Sequence, residues 1–242
     1  MQIKLLTVLK RAGKPIELKV TGVSMNPVLY EDDTVTIFSG NSDSIYDTGD
    51  ILVFVYNRSE LLIHRLIEIK DGLLYCKGDN ALRMEKITAD RIIGKVTGIR
   101  RNGQNIPLPP CTDKLIIMAK AVNAMFFKRR YDPVKTRETY IYKIYNRIFI
   151  DGEDINMYIR NDKMDYIDTD GSSAAVFDPE SGDTHFLDEA GADIIKILEQ
   201  PHDMDAVIDE ICEIYDGERG EIAGDVREFI DDAVKKGIIV EL

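Results

Sequence analysis

Gly22-Val23-Ser24-Met25-Asn26-Pro27 places a serine between a glycine and a proline. These two residue types bend a backbone most readily, so the stretch predicts a sharp turn that exposes the Ser24 hydroxyl. Alone the pattern is weak, because a serine before a proline turn usually only caps or bends the chain. Two later stretches add to it, Leu62-Ile63-His64-Arg65-Leu66 and Cys76-Lys77-Gly78-Asp79-Asn80.

A serine hydroxyl attacks an amide only when a neighbouring group takes its proton, and histidine is the side chain best suited to this. His64 lies in a stretch that alternates with a period of two, which places it on one strand face with Leu62 and Leu66. A histidine on an apolar strand face is more often a core residue than a base. The other two histidines of the chain, His185 and His202, lie far from these stretches, so His64 is the candidate base for Ser24.

Taken together, the three stretches resemble the signal-peptidase superfamily, which joins membrane signal peptidases to self-cleaving SOS-type repressors. Bacterial members carry lysine before the arginine of the second stretch, whereas the Ser/His branch carries histidine, as His64-Arg65 does here. The resemblance implies a signal-peptidase-like, mainly β peptidase domain over residues 1–111. It also implies Ser24 as the nucleophile, His64 as the base, and cleavage after small residues.

Two acidic residues compete to orient the histidine. Asp79 matches the Gly-Asp-Asn segment of the family, whose ordinary role is a turn that closes a hairpin. The orienting acid of the Ser/His branch lies several residues further on, where the nearest acid is Glu85. Some members of the family add a hydroxyl two residues before the nucleophile as an oxyanion donor. Gly22 cannot supply one, so the resemblance implies a larger share of that role for the backbone N–H of Ser24.

Short apolar runs separated by Asp, Gly and Asn predict an antiparallel β-domain after an N-terminal helix at Ile3–Lys10. Asn102-Gly103 predicts a tight turn at its end. The six predicted strands are Glu17–Thr21, Thr34–Phe38, Ile51–Tyr56, Leu61–Ile69, Leu73–Lys77 and Ile92–Ile99.

Residues 112–150 read as a helical connector that begins with a helix at Asp113–Arg130. A helix that packs on the β-domain or joins two domains is favoured, because its polar face is too thin for a clean amphipathic pattern. The alternative is weak contact with a membrane surface through Lys128-Arg129-Arg130. The apolar stretch Leu115–Phe127 is too short to span a bilayer.

Residues 151–242 predict a small, winged-helix-like α+β domain of three strands followed by three helices. The stretch His185-Phe186-Leu187-Asp188-Glu189-Ala190-Gly191-Ala192 and the helix after it resemble the PqqD family. That resemblance implies binding of a leader or precursor peptide of a ribosomally made, modified product. The predicted elements are strands Ile155–Arg160, Ala174–Asp178 and Thr184–Leu187, then helices Glu189–Glu199, Met204–Tyr215 and Glu221–Lys236.

Charge divides the chain in the same way, with a net charge of +6 over residues 1–130 and −18 over residues 131–242. The acidic half argues against a nucleic-acid partner, because phosphate binding needs a basic footprint. The three cysteines have no metal-ligand spacing, and no cofactor motif occurs, so we expect neither a metal nor a cofactor. Unpaired cysteines and the lack of a secretory signal favour the cytoplasm.

The sequence therefore predicts a soluble serine endopeptidase that processes a peptide held by its C-terminal domain. Two alternatives remain open. One is a non-catalytic peptide-binding scaffold with a degenerate peptidase fold. The other is a self-cleaving regulator, for which Ala12-Gly13 offers an Ala-Gly bond close to Ser24.

Overall fold

The computed structural model describes residues 15–38, 46–57, 60–169 and 173–242. It divides into two compact units, residues 1–153 and residues 154–242. The predicted Ile3–Lys10 helix and the Ala12-Gly13 bond lie outside the described residues.

An antiparallel sheet of eight strands forms the body of the first unit. Its strand order is β1-β2-β7-β3-β4-β5-β6, with β8 paired to β7. The strands are β1 (Ile16–Lys19), β2 (Thr34–Phe38), β3 (Ile51–Tyr56), β4 (Glu60–Lys70), β5 (Leu73–Lys77), β6 (Glu85–Ile87), β7 (Ile92–Arg101) and β8 (Gln104–Ile106).

The six predicted strands lie within two residues of their expected bounds, and Asn102-Gly103 makes the tight turn between β7 and β8. Both turn residues have positive φ angles, 50° and 80°, as a two-residue hairpin turn requires. Sequence reasoning missed β6 and β8. Each has three residues, too few to show an alternating pattern.

Strand β3 is buried on both faces and separates two apolar clusters. Ile51 and Val53 pack with β1, β2 and β7, whereas Leu52 and Phe54 pack with β4, β5 and β6. Alternate residues thus face opposite sides, as the period of two requires. The second cluster includes Leu66 of β4, the strand that carries His64. Strand β4 pairs with β3 over Glu60–Arg65 and with β5 over Arg65–Lys70.

Three helices complete the first unit, namely α1 (Asp113–Lys128), α2 (Pro133–Arg137) and α3 (Tyr140–Phe149). Helix α1 buries Leu115, Met118 and Val122, and the Asn123 side chain accepts a hydrogen bond from the Met84 N–H at 2.8 Å. The helix is therefore packed within the first unit. None of the described helices is both long and apolar enough to cross a membrane.

The second unit contains a three-stranded antiparallel sheet in the order β10-β11-β12 and a separate pair of β9 with β13. Its core is formed largely by helices α4, α5 and α6 with the last strand. The strands are β9 (Tyr158–Arg160), β10 (Asp165–Asp168), β11 (Ala174–Phe177), β12 (Thr184–Leu187) and β13 (Ile239–Glu241), and the helices are α4 (Glu189–Ile197), α5 (Met204–Ile214) and α6 (Arg219–Lys235).

One predicted strand of this unit belongs elsewhere. The segment predicted as Ile155–Arg160 forms only the short strand β9, which pairs with β13 at the end of the chain. The third strand of the sheet is β10, which sequence reasoning missed because Asp165 and Asp168 interrupt its apolar pattern. The fold class is nevertheless confirmed: a mainly β N-terminal region precedes a small α+β C-terminal region.

Candidate active site

Ser24 lies in the turn that follows β1, and its side chain is exposed to solvent. Gly22 has a φ angle of +83°, which favours glycine and lets the chain turn sharply before the serine. The Ser24 carbonyl accepts a hydrogen bond from the Asn80 N–H at 2.8 Å, and the Asn80 side chain donates to the Val23 carbonyl at 3.2 Å. Thus Asn80, in the loop after β5, holds the serine turn through two hydrogen bonds to its backbone.

His64 is buried on β4 between Ser24 and Glu85. Its Nε2 atom lies 3.1 Å from the Ser24 Oγ atom, and its Nδ1 atom lies 2.7 Å from a Glu85 carboxylate oxygen. The Phe54 ring meets the imidazole edge-on at 6.2 Å between centroids. The structure therefore brings three of the four predicted site residues into one linear chain of hydrogen-bonding groups.

Glu85 reaches the histidine from β6, where it is paired with Cys76 of β5. Its side chain is only 6% exposed, and the guanidinium of Arg83 approaches its second oxygen at 3.9 Å. A buried carboxylate is expensive without partners, and the imidazole N–H is the partner within hydrogen-bond distance. Burial and the Glu85 charge raise the pKa of the adjacent Cys76 thiol to about 12, so this cysteine stays protonated.

The structure places Asp79 away from the imidazole. Both of its carboxylate oxygens accept hydrogen bonds from the guanidinium of Arg65, at 2.9 and 2.8 Å. The same guanidinium donates to the Gly49 carbonyl at 2.9 Å. Because Arg65 follows His64 directly and points to the other strand face, the Arg65–Asp79 pair anchors β4 to the loop after β5.

Gly78 is the point of closest approach between that loop and the site. A Cβ atom at this position would lie 2.5 Å from the Ser24 carbonyl oxygen and 2.9 Å from His64 Nε2. Side chains of any other residue type therefore collide with both groups. This close approach explains why the first residue of the Gly-Asp-Asn segment is a glycine.

Sequence reasoning missed two buried polar residues beneath the loop, Lys77 and Tyr145. The Tyr145 hydroxyl, from helix α3, donates to the Asp79 backbone carbonyl. The Lys77 amine donates to the Gly78 carbonyl at 3.2 Å and to the Tyr145 hydroxyl at 3.3 Å, and it lies 4.5 Å from the Tyr145 ring centroid. Burial lowers the pKa of Lys77 to about 8, although Asp79 and Glu85 oppose this shift. Nothing in the sequence around Lys77 indicated that this lysine is buried.

A cleft of about 460 Å³ opens beside Ser24. Residues of β1 and the turn form one wall, and Leu61, Leu62 and Ile63 of β4 form the other. Among the described residues, β1 pairs only with β2, and this part of β4 pairs only with β3. The cleft is therefore bordered by two strand segments with free backbone edges, a geometry that accepts an extended peptide.

The three-stranded sheet of the second unit has a strand edge at each side to which no described strand is paired. In the described chain, β12 pairs only with β11 and carries Phe186, which is 81% exposed. The opposite edge strand, β10, carries Ile167, which is 54% exposed and borders a cleft of about 300 Å³ together with Arg160 and Lys196. Either edge can receive an added strand.

No group of His, Cys, Asp and Glu side chains within the described ranges is arranged to hold a metal ion.

Comparison with known proteins gives a separate match for each half of the chain. The model of the Peptidase S24-like family matches residues 2–97, and the model of coenzyme PQQ synthesis protein D (PqqD) matches residues 173–239. No curated protein matches the chain. Among solved structures, TbiB1 in complex with the TbiA(beta) leader peptide matches with a TM-score of 0.32 and 22% identity, over 34% of this chain and 93% of that one. The chain thus joins an N-terminal peptidase S24-like region to a C-terminal PqqD-like region, as the sequence predicted.

Proposed function

We propose that the chain is a cytoplasmic serine endopeptidase that uses Ser24 and His64 to cut a peptide held by its second unit. The observation that carries this proposal is the linear arrangement of Ser24 Oγ, the His64 imidazole and the Glu85 carboxylate, with contacts of 3.1 and 2.7 Å. A nucleophile, a base and an orienting acid in this order define serine-peptidase chemistry on several unrelated folds.

In the proposed mechanism, Glu85 accepts the Nδ1–H of His64, which leaves Nε2 free to accept the Ser24 proton. The Ser24 oxygen then attacks the substrate carbonyl, and the imidazolium formed is stabilised by the Glu85 charge. His64 next donates this proton to the leaving amine, and an acyl-enzyme on Ser24 remains. A water molecule, deprotonated by His64, hydrolyses the acyl-enzyme and restores the serine.

Asp79 has a different role in this proposal. Its two oxygens are occupied by Arg65, so it supports the loop that holds Ser24 and does not orient the imidazole. The cleft beside Ser24 supports binding of the substrate as an extended strand, with backbone hydrogen bonds to β1 and β4.

The second unit, in this proposal, binds the leader of a ribosomally made, modified precursor peptide. The PqqD match supports a peptide-recognition role, and the exposed edge of β12 supports binding by strand addition. The acidic half of the chain favours a leader rich in lysine or arginine. A tethered leader raises the local substrate concentration to the millimolar range.

A fluorophosphonate probe tests the catalytic assignment. We expect covalent labelling of Ser24 in the wild-type chain, with labelling lost in Ser24→Ala and strongly slowed in His64→Ala. A folded wild-type chain that the probe does not label would favour the non-catalytic scaffold. Loss of the N-terminus from the purified wild-type chain, but not from Ser24→Ala, would instead indicate self-cleavage.

A further inference from the structure

Tyr145 of helix α3 connects the helical segment after the β-sheet to the candidate active site. Its side chain is 1% exposed, although α3 lies more than fifty residues beyond the last predicted site residue. Its hydroxyl donates to the Asp79 backbone carbonyl and accepts from the Lys77 amine at 3.3 Å. Both partners belong to one short segment, the end of β5 and the loop after it.

That segment, residues 77–80, contacts both members of the proposed nucleophile and base pair. Asn80 donates its backbone N–H to the Ser24 carbonyl at 2.8 Å. Gly78 lies so close to the site that an added Cβ would be 2.9 Å from His64 Nε2. Any shift of this loop therefore moves the Ser24 turn relative to the imidazole.

Two buried side chains hold the loop in place, and both of them form hydrogen bonds with Asp79. Arg65 fixes the Asp79 side chain, and Tyr145 fixes the Asp79 backbone. Arg65 belongs to β4 and moves with His64, whereas Tyr145 comes from a helix outside the sheet. Of these two supports, Arg65 belongs to the sequence stretch that carries His64. The Tyr145 hydroxyl lies outside all three stretches that predicted the site.

On this basis, which rests on the proposed peptidase function, we propose that Tyr145 is a positioning residue that holds the Gly78–Asn80 loop against Ser24. It touches neither the substrate nor the reacting atoms. A misplacement on the scale of 1 Å at a site of this kind lowers the rate of the chemical step by roughly 100-fold. Loss of the hydroxyl alone is expected to lower that rate by roughly 10- to 100-fold.

The test compares Tyr145→Phe with Tyr142→Phe in the full chain. Tyr145→Phe keeps the aromatic ring and its packing but removes the hydroxyl. Tyr142 lies on the same helix and is half-buried, and its ring centroid lies 6.5 Å from that of Tyr145, so it provides a matched control. Two readouts are measured, the kinetics of fluorophosphonate labelling and the hydrogen exchange of the Asn80 amide.

For Tyr145→Phe we expect a maximal labelling rate lowered by roughly 10- to 100-fold, with the probe concentration for half-maximal rate nearly unchanged. Asn80 amide exchange should become about tenfold faster or more, because its bond to the Ser24 carbonyl is weakened. Tyr142→Phe should leave both readouts within about twofold of the wild type. Unchanged Asn80 exchange in Tyr145→Phe would overturn the positioning role.

Failure of the peptidase proposal gives a different result. A wild-type chain that no probe labels, combined with faster Asn80 exchange in Tyr145→Phe, contradicts the catalytic function but supports the loop contact. If Tyr145→Phe does not fold, Lys77→Met provides a second variant, because it removes only the amine that donates to Gly78 and Tyr145. This variant should also accelerate Asn80 exchange, and an unchanged rate would contradict the proposal.

Discussion

At the scale of single residues, two carboxylates that the sequence could not separate have different partners. Glu85 meets the imidazole at 2.7 Å, whereas Asp79 is held by both nitrogens of one guanidinium edge. Sequence spacing gives the order of these acids along the chain but not the direction of their side chains. The guanidinium of Arg65 determines which partner Asp79 binds, because it is the strongest hydrogen-bond donor within reach of that carboxylate.

Glu85→Gln should therefore lower kcat by roughly 10³- to 10⁴-fold and leave the fold unchanged, because the imidazole loses its preferred tautomer. Asp79→Asn should instead lower the free energy of unfolding by about 3–5 kcal/mol, because Arg65 is left buried with an uncompensated charge. Peptidase assays and urea denaturation of both variants measure these effects. A pair of variants with the opposite pattern would assign the orienting role to Asp79.

The buried amine of Lys77 makes a prediction about pH. Its pKa is lowered from 10.5 to about 8, so between these pH values the unfolded chain binds more protons than the native one. The contribution of Lys77 to the free energy of unfolding should thus rise by about 3 kcal/mol from pH 8 to pH 10.5. The measurement is the stability of the wild type relative to Lys77→Met, since subtraction removes other titrating groups. A difference that does not change with pH would contradict the burial of the amine.

Gly78 allows a test by added bulk. Gly78→Ala should slow fluorophosphonate labelling of Ser24 by roughly 100-fold, because the new methyl group displaces the Ser24 carbonyl or the imidazole. Gly98→Ala is the matched control, since its Cβ would meet Thr36 at an ordinary 3.7 Å. Equal labelling rates in the two variants would show that the loop lies further from the site.

At the scale of elements, the sequence predicted strands better where they are long. Strands β3 and β4 are six and eleven residues long and largely apolar, so their positions follow from the apolar pattern alone. The position of the three-residue strand β6 could not be predicted in this way, yet β6 brings Glu85 to His64. Tyr145 was missed for a related reason, because a helix-to-loop contact over 66 residues has no local signature.

The edge strands of the second unit provide the next test. Phe186→Asp on β12 should raise KM for a leader-bearing precursor without lowering kcat, because it weakens binding far from the chemistry. Ile167→Asp places the same charge on the opposite edge, β10, and should leave KM unchanged. Both residues are exposed, so neither variant should unfold the unit. An effect of Ile167→Asp alone would place the leader at β10.

At the scale of the whole molecule, charge distinguishes the two halves of the chain. The excess of 18 negative charges over residues 131–242 should attract basic leaders through solvent. Such attraction is screened over about 10 Å at 0.1 M salt. KM for a precursor with a lysine- or arginine-rich leader should therefore rise with salt, while the rate of fluorophosphonate labelling stays constant. A KM that does not depend on salt would exclude electrostatic recruitment.

The division into two units was predictable from charge and from motifs, but the assignment of the connector was not. Residues 112–150 read as a link between domains, whereas the helices there pack within the first unit. Burial of Tyr145 and Val122 explains this placement. Apolar residues spread around most of a helix indicate that it is buried, but they do not identify its partner.

Cleavage of a precursor peptide tests the central claim most directly. Each small peptide encoded by the genes adjacent to this one is incubated with the wild-type chain and with Ser24→Ala, and the products are identified by mass spectrometry. We predict one internal cut by the wild type, and none by a folded Ser24→Ala that still binds the leader. Cleavage at the same bond by both chains, or by neither, would contradict the Ser24–His64 endopeptidase.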